Sequence, residues 1–242
     1  LAIAELHYRP AAPTEAEDAE DYDKRKDFEW VEMLNVGPRT VDLSEVSFTG
    51  GIRFEFGRRS SIGYLEPGER LVVVKNREAF LFRHPNIDPS IIAGEYGLRL
   101  SDDGEEVVLS GGGGEIARFT YNDRGGWPEP ADGDGPSLVL RKPESGPDLN
   151  DPVNWRPSID AGGSPGSDDR TNLAEWLSLN EFADPHGDPD GNGLTHFMNY
   201  AYGGEFAPLI EVRALEVDGL VEDYLTISYR ENGVAEDIEI LA

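Results

Sequence analysis

The chain has 242 residues, with 48 acidic against 21 basic side chains and a formal net charge of −27. So negative a surface repels a phosphate backbone almost everywhere, which excludes nucleic acid as a partner. There is no cysteine, so disulfide frameworks, thiol chemistry and thiolate metal sites are excluded too.

No apolar run approaches the roughly 20 residues that span a bilayer, and no membrane span is expected. The length suggests one large domain or two smaller ones, ample to bury a core. No signal peptide is visible and the first residue is Leu1 rather than Met, which reads as a processed or excised piece. The surplus of acids suits surroundings rich in salt or divalent cations, which screen or bind carboxylates.

In chain order, residues 1–10 read as a strand ending near Pro10. Residues 11–27 are acid-rich, with almost no large apolar side chains, and are predicted to be a mobile loop outside the core. In Phe28-Glu29-Trp30-Val31-Glu32-Met33-Leu34-Asn35-Val36-Gly37 apolar residues alternate with acids before Asn-x-Gly, the pattern of a half-buried strand and a reversal. From Phe28 to Val139 short β-rich runs are separated by turn signals: Gly50-Gly51, Pro67-Gly68, Asp103-Gly104 and the run 111–114.

One run departs from this pattern. Residues 78–82 follow Asn76, a good N-cap, and predict a short helical turn. Arg53, Arg58 and Arg59 read as solvated charges beside a hairpin. Trp30, Trp127 and Trp155 read as core or as caps on its edges, the alternative being a surface platform for sugar rings. Short strands with Gly/Pro turns point to an all-β sandwich.

Several segments resemble, in order, the lamin-tail domain, an immunoglobulin-like β-sandwich. They include residues 1–10, the 28–37 stretch with its echo Val41-Asp42-Leu43-Ser44, and Phe48 to Phe56. Leu65-Glu66-Pro67-Gly68-Glu69 leading into Arg70 to Lys75, and Leu100 to Glu105, follow. Tyr121, Trp127-Pro128, Gly135 to Leu138, Asn154-Trp155 and Gly163-Ser164-Pro165-Gly166 complete the set. The resemblance implies a sandwich over residues 1–166 but no particular ligand, because such folds host many roles.

Residues 167–170 read as a linker, and the hydrophobic period then changes. Thr171-Asn172 can cap a helix with Leu173, Trp176, Leu177, Asn180 and Phe182 along one side. The following Asp188-Pro189-Asp190-Gly191-Asn192-Gly193 matches D-x-D-x-N-G, the first half of an EF-hand or dockerin-type calcium loop. Oxygens of Asp188, Asp190 and Asn192 at positions 1, 3 and 5 can converge on a hard cation. Gly193 allows the sharp turn, and Leu194 offers its carbonyl.

Position 12 is Asn199, where an EF-hand has a bidentate Glu; Asp184 is a candidate to compensate. Calcium is therefore the expected cofactor, rigidifying a helix-loop-helix over residues 171–204. The competing reading is an acidic turn without metal. His186 and His196 flank the loop, but acidic oxygens dominate and favour calcium over a transition metal. Residues 205–242 read as strands, with Asp218-Gly219 and Asn232-Gly233 as hairpin turns. They are too few to close a sandwich, which predicts an incomplete β domain continued by a larger chain.

No H-E-x-x-H pair, nucleophile elbow or phosphate loop is present. The carboxylate pairs Asp102/Asp103 and Glu105/Glu106 sit at a turn and read as solvated. Asp132-Gly133-Asp134-Gly135 reads as a turn, with a second cation site as the alternative. The sequence thus predicts a mainly β, non-catalytic module of a large secreted or cell-surface bacterial protein. It would be extracellular and monomeric, and would bind a protein or glycan or act as a calcium-set spacer. Alternatives are an accessory domain of an extracellular hydrolase such as a nuclease, and a carbohydrate-binding module.

Overall fold

A computed structural model describes residues 1–170, 173–179, 182–188, 191, 193–202, 209–217, 220–228, 232, 234 and 235. The chain divides into two compact units, Leu1–Asp169 and Arg170–Ala242.

The first unit is mainly β. Its strands are β1 (Ala2–His7), β2 (Trp30–Leu34), β3 (Val41–Asp42), β4 (Ser47–Gly50), β5 (Phe54–Glu55) and β6 (Tyr64–Leu65). β7 (Arg70–Val74), β8 (Ile92–Glu95), β9 (Gly104–Gly111), β10 (Gly114–Asn122), β11 (Leu138–Leu140) and β12 (Trp155–Pro157) follow. One sheet runs β12-β11-β1-β2-β7-β8, antiparallel except for the parallel β7/β8 pair. A second, antiparallel sheet runs β10-β9-β4-β5, and β3 pairs with β6.

Alternation along the strands decides what lies between the sheets. Ile3, Leu6, Val31, Met33, Leu71 and Val73 meet Phe48, Phe54, Val107, Leu109, Phe119 and Tyr121 in one core cluster. The other face of the larger sheet carries Trp30, Val72, Val74 and Ile92, which pack with Phe80. Phe80 belongs to a helix, α3 below, that the sequence predicts. The turn after β2 is also as read: Asn35 Oδ1 accepts from the Gly37 amide at 3.0 Å.

Two expectations are corrected here. β2 is not half-buried; all five of its residues are buried, Glu32 included. Residues 11–27 are not simply a solvated loop, for they contain helix α1 (Glu15–Asp18). Its capping box is complete: Thr14 Oγ accepts from the Glu17 amide, and Glu17 Oε2 accepts from the Thr14 amide at 2.7 Å. Two further helices follow in this unit, α2 (Phe56–Arg59) and α3 (Arg77–Arg83).

Asn76 caps α3 as the sequence suggests, accepting from the amides of Glu78 and Ala79. Arg83 at its end donates to both carboxylate oxygens of Glu17, at 2.7 and 2.8 Å. Its guanidinium also lies 3.4 Å from the centroid of the Phe28 ring. Tyr22 completes the contact against Phe28 and Phe82. A single arginine thus ties the acidic stretch to the sandwich through charge, hydrogen bonds and a ring face.

The second unit contains α4 (Leu173–Leu179), α5 (His196–Tyr202), β13 (Leu209–Val217) and β14 (Leu220–Ser228). The last two form an antiparallel hairpin in which Val217 pairs with Leu220, leaving a two-residue connection as the Asp-Gly signal requires. Asp218, Gly219 and the strand expected over residues 236–241 lie outside the described residues. Leu209, Val212 and Val221 are exposed on the hairpin. Asn232 is not simply a turn residue: it is buried, its amide nitrogen Nδ2 donating to the Tyr200 carbonyl at 2.6 Å.

Candidate metal centre

Aromatic stacking shapes the loop between α4 and α5. Trp176 lies 5.6 Å from both Phe182 and Tyr200, ring centroid to ring centroid. The His196 imidazole stacks on Phe182 at 3.8 Å, its plane nearly parallel to the ring. Its Nδ1 is 2.7 Å from the Asp184 carbonyl, so Nδ1–H donates there. The amides of His196 and Phe197 donate to the carbonyls of Gly187 and Pro185, at 2.9 and 2.8 Å. The two ends of the loop are therefore held together by the protein's own bonds. Thr195 Oγ1 caps α5 by accepting from the Met198 amide at 3.2 Å.

Within this frame Asp188 Oδ2 accepts from the Gly193 amide at 3.0 Å, and Gly193 has a φ of +87°. That backbone conformation is the one glycine supplies at the sixth loop position. Asp188 Oδ1 and Asn199 Oδ1 are buried and have no hydrogen-bond partner among the described residues. Leaving an acceptor oxygen dry and unpaired is costly, and a cation is one of the few groups that can satisfy such an atom. The donor chemistry at positions 1 and 12 thus fits a hard divalent ion.

Asp190 and Asn192 lie outside the described residues. Among the described ones, no three or more His, Asp or Glu side chains form a group able to hold a metal. Asp184 is exposed and its Oδ1 accepts from the His186 amide at 2.9 Å, so one oxygen of its carboxylate caps the local turn. Leu194 is buried. His186 is exposed, whereas His196 acts as packing and as a brace for the Asp184 carbonyl. That brace has a sequence signal only in hindsight, an aromatic residue fourteen positions before a histidine at a helix start.

The remaining candidates are occupied structurally. Asp132 is held by Arg9 at 2.6 Å, and the carbonyls of Gly133 and Gly135 accept from Arg25 and from His7 Nε2. Asp132 to Gly135 is therefore a fastened turn. Glu105 accepts from the Ser101 amide and the Tyr121 hydroxyl. Trp30, Trp127 and Trp155 are at most 8% exposed, and Trp155 stacks on Phe119 with its Nε1 donating to the Leu149 carbonyl. A sugar platform needs exposed rings, so the carbohydrate reading loses its motive.

No protein-family model, curated protein or solved structure matches this chain.

Buried carboxyl groups are what sequence reasoning missed in the first unit. Glu5 and Glu32 are directly opposite on β1 and β2. Glu5 accepts from Ser137 Oγ, from the Ser164 amide at 2.9 Å and from Ser164 Oγ at 2.7 Å. Glu32 accepts from Arg70 and, at 2.6 Å, from the Gly166 amide. The Gly163 to Gly166 segment is thereby pinned over the outer face of the larger sheet.

Burial pushes Glu5 up to about 7. Burial, and then the neighbouring Glu5 charge, pushes Glu32 up to about 8. Glu29 is likewise raised by burial to about 7, although it accepts from the Leu100 amide and Tyr96 hydroxyl. Burial lowers His7 to about 3 and His84 to about 4, so both imidazoles are neutral. The signal for Glu32 was its alternation with apolar residues along β2, which also fits an exposed face; its burial depends on a covering segment more than a hundred residues away.

Proposed function

We propose that this chain is a non-catalytic binding or spacer module of a large secreted or cell-surface bacterial protein. In this reading residues 1–166 form a lamin-tail-like sandwich and the α4–α5 segment is rigidified by calcium. One observation carries the calcium reading: the unpaired, buried Oδ1 atoms of Asp188 and Asn199, eleven residues apart at the two ends of the loop. Asp188, Asp190, Asn192, the Leu194 carbonyl and Asn199 would hold the ion. Bound calcium supplies a divalent charge that offsets the carboxylates and satisfies their lone pairs.

The chain's own bonds do the rest. The Gly187–His196 and Pro185–Phe197 amide contacts close the loop, and the Phe182–His196 stack sets its base. With Asn in place of a bidentate Glu at position 12, affinity falls in the weaker range typical of extracellular modules. The strong net negative charge supports calcium-rich surroundings, where such a site fills.

Limited proteolysis near Gly187 tests the rigidifying role. Calcium is expected to protect this bond in the natural chain and not in a variant carrying Asp188→Ala and Asp190→Ala, while the sandwich stays folded. Identical cleavage with and without calcium in the natural chain would sink the reading.

A further inference from the structure

Three cationic side chains from separate stretches of sequence converge on one pocket of about 440 Å³, lined by Lys26, Gly51, Lys75, Leu98, Arg99 and Glu105. None of the three forms an ion pair within 4 Å among the described residues, whereas Arg9, Arg58, Arg70, Arg83, Arg118, Arg124 and Arg156 do. The acid on the lining, Glu105, is engaged by the Ser101 amide and the Tyr121 hydroxyl. In a chain with 48 acids and 21 bases, three unpaired cations around one opening are an uncommon local excess of positive charge.

The rim is also strained. Leu98 has a φ of +69° and is 61% exposed, a backbone conformation that is unfavourable for a bulky residue and persists only when its surroundings hold it. Those surroundings are visible. Lys75 Nζ donates to the Leu98 carbonyl, Gly97 bridges to Arg53 through two backbone bonds, and the Leu100 amide donates to buried Glu29. The strain presents an apolar side chain and a lysine at one lip.

We propose that this pocket binds a compact oxyanion, a carboxylate, sulfate or phosphate carried on a small molecule. Lys26, Lys75 and Arg99 supply the charge and Leu98 meets the apolar part of the ligand. A polyanionic strand is disfavoured by the same charge count. Screening confines the attraction of the three cations to about 8 Å at physiological salt, so each further anionic group of a strand meets the acidic remainder of the surface. This proposal is independent of the calcium loop.

The test is a titration of the full chain with inorganic phosphate, sulfate and acetate, followed by backbone amide chemical shifts, beside a Lys75→Gln/Arg99→Gln variant. Arg99 is exposed and Lys75 half-buried, and the variant's remaining spectrum reports whether the fold is kept. Saturable shifts are expected at Gly51, Lys75, Leu98 and Arg99, weakened about tenfold in the variant. Shifts that do not saturate, or that persist unchanged in a folded variant, overturn the site. A sulfated polysaccharide binding the same residues more tightly than free sulfate overturns the compact-ligand assignment.

Discussion

Two glutamates set the clearest residue-scale expectations. Folding raises the pKa of Glu5 and Glu32 above the ordinary carboxylate value, so the native state holds protons that the unfolded chain has released. Their contribution is fully present below about pH 4.5 and is lost as pH rises through about 7 to 8. The buried neutral imidazoles His7 and His84 act in the opposite direction over the same window, because the unfolded chain protonates them first. Glu5→Gln isolates the carboxyl contribution: it should remove part of the stability gained between pH 8 and pH 5 in thermal melting, and an unchanged pH slope contradicts the assignment.

Gly163 lies against Glu5 and Trp30, with φ +85°; a Cβ there would sit 2.5 Å from Glu5 Oε1 and 2.6 Å from Trp30 Cζ2. Gly163→Ala is expected to cost about 1–3 kcal/mol, read as a lower urea midpoint with unchanged slope. The sequence marked Gly163 to Gly166 as the end of a domain. It gave no sign that the segment covers Glu5 and Glu32, because a strand pattern says which residues share a face and not what packs on it.

At the scale of elements, the strands were legible because their signals are local: Val72-Val73-Val74, the Pro67-Gly68 turn before them and the Asn76 cap after them each act within a few residues. Helix α1 was missed although Thr14-x-x-Glu17 is a capping box, since its acid-rich neighbourhood reads as disorder. Its anchor, Arg83, is 66 residues away. Arg83→Met should leave the sandwich folded but speed amide exchange over residues 14–22 by at least tenfold, as removing a charged hydrogen-bond partner costs about 1.5–3 kcal/mol. Unchanged exchange there would mean that the capping box alone holds the helix. The converging Lys26, Lys75 and Arg99 were invisible for the same reason: their nearness is tertiary.

At the scale of the whole molecule, the chain has a mainly β first unit and a second unit whose loop ends are closed by hydrogen bonds, with Asp188 Oδ1 and Asn199 Oδ1 buried and without a hydrogen-bond partner among the described residues. The D-x-D-x-N-G spacing made Asp188, Gly193 and Asn199 legible as a set, because ligand spacing in such loops is a property of short sequence. The His196 brace was not, as it depends on how the chain folds back to bring His196 onto Phe182 and the Asp184 carbonyl. The most direct test is a calorimetric titration of calcium into chelator-treated protein, with the Asp188→Ala/Asp190→Ala variant beside it. Saturable binding to the natural chain that vanishes in the variant is the expected result. Absence of heat and of saturation in the natural chain would reduce the loop to an acidic turn and contradict the calcium-set module.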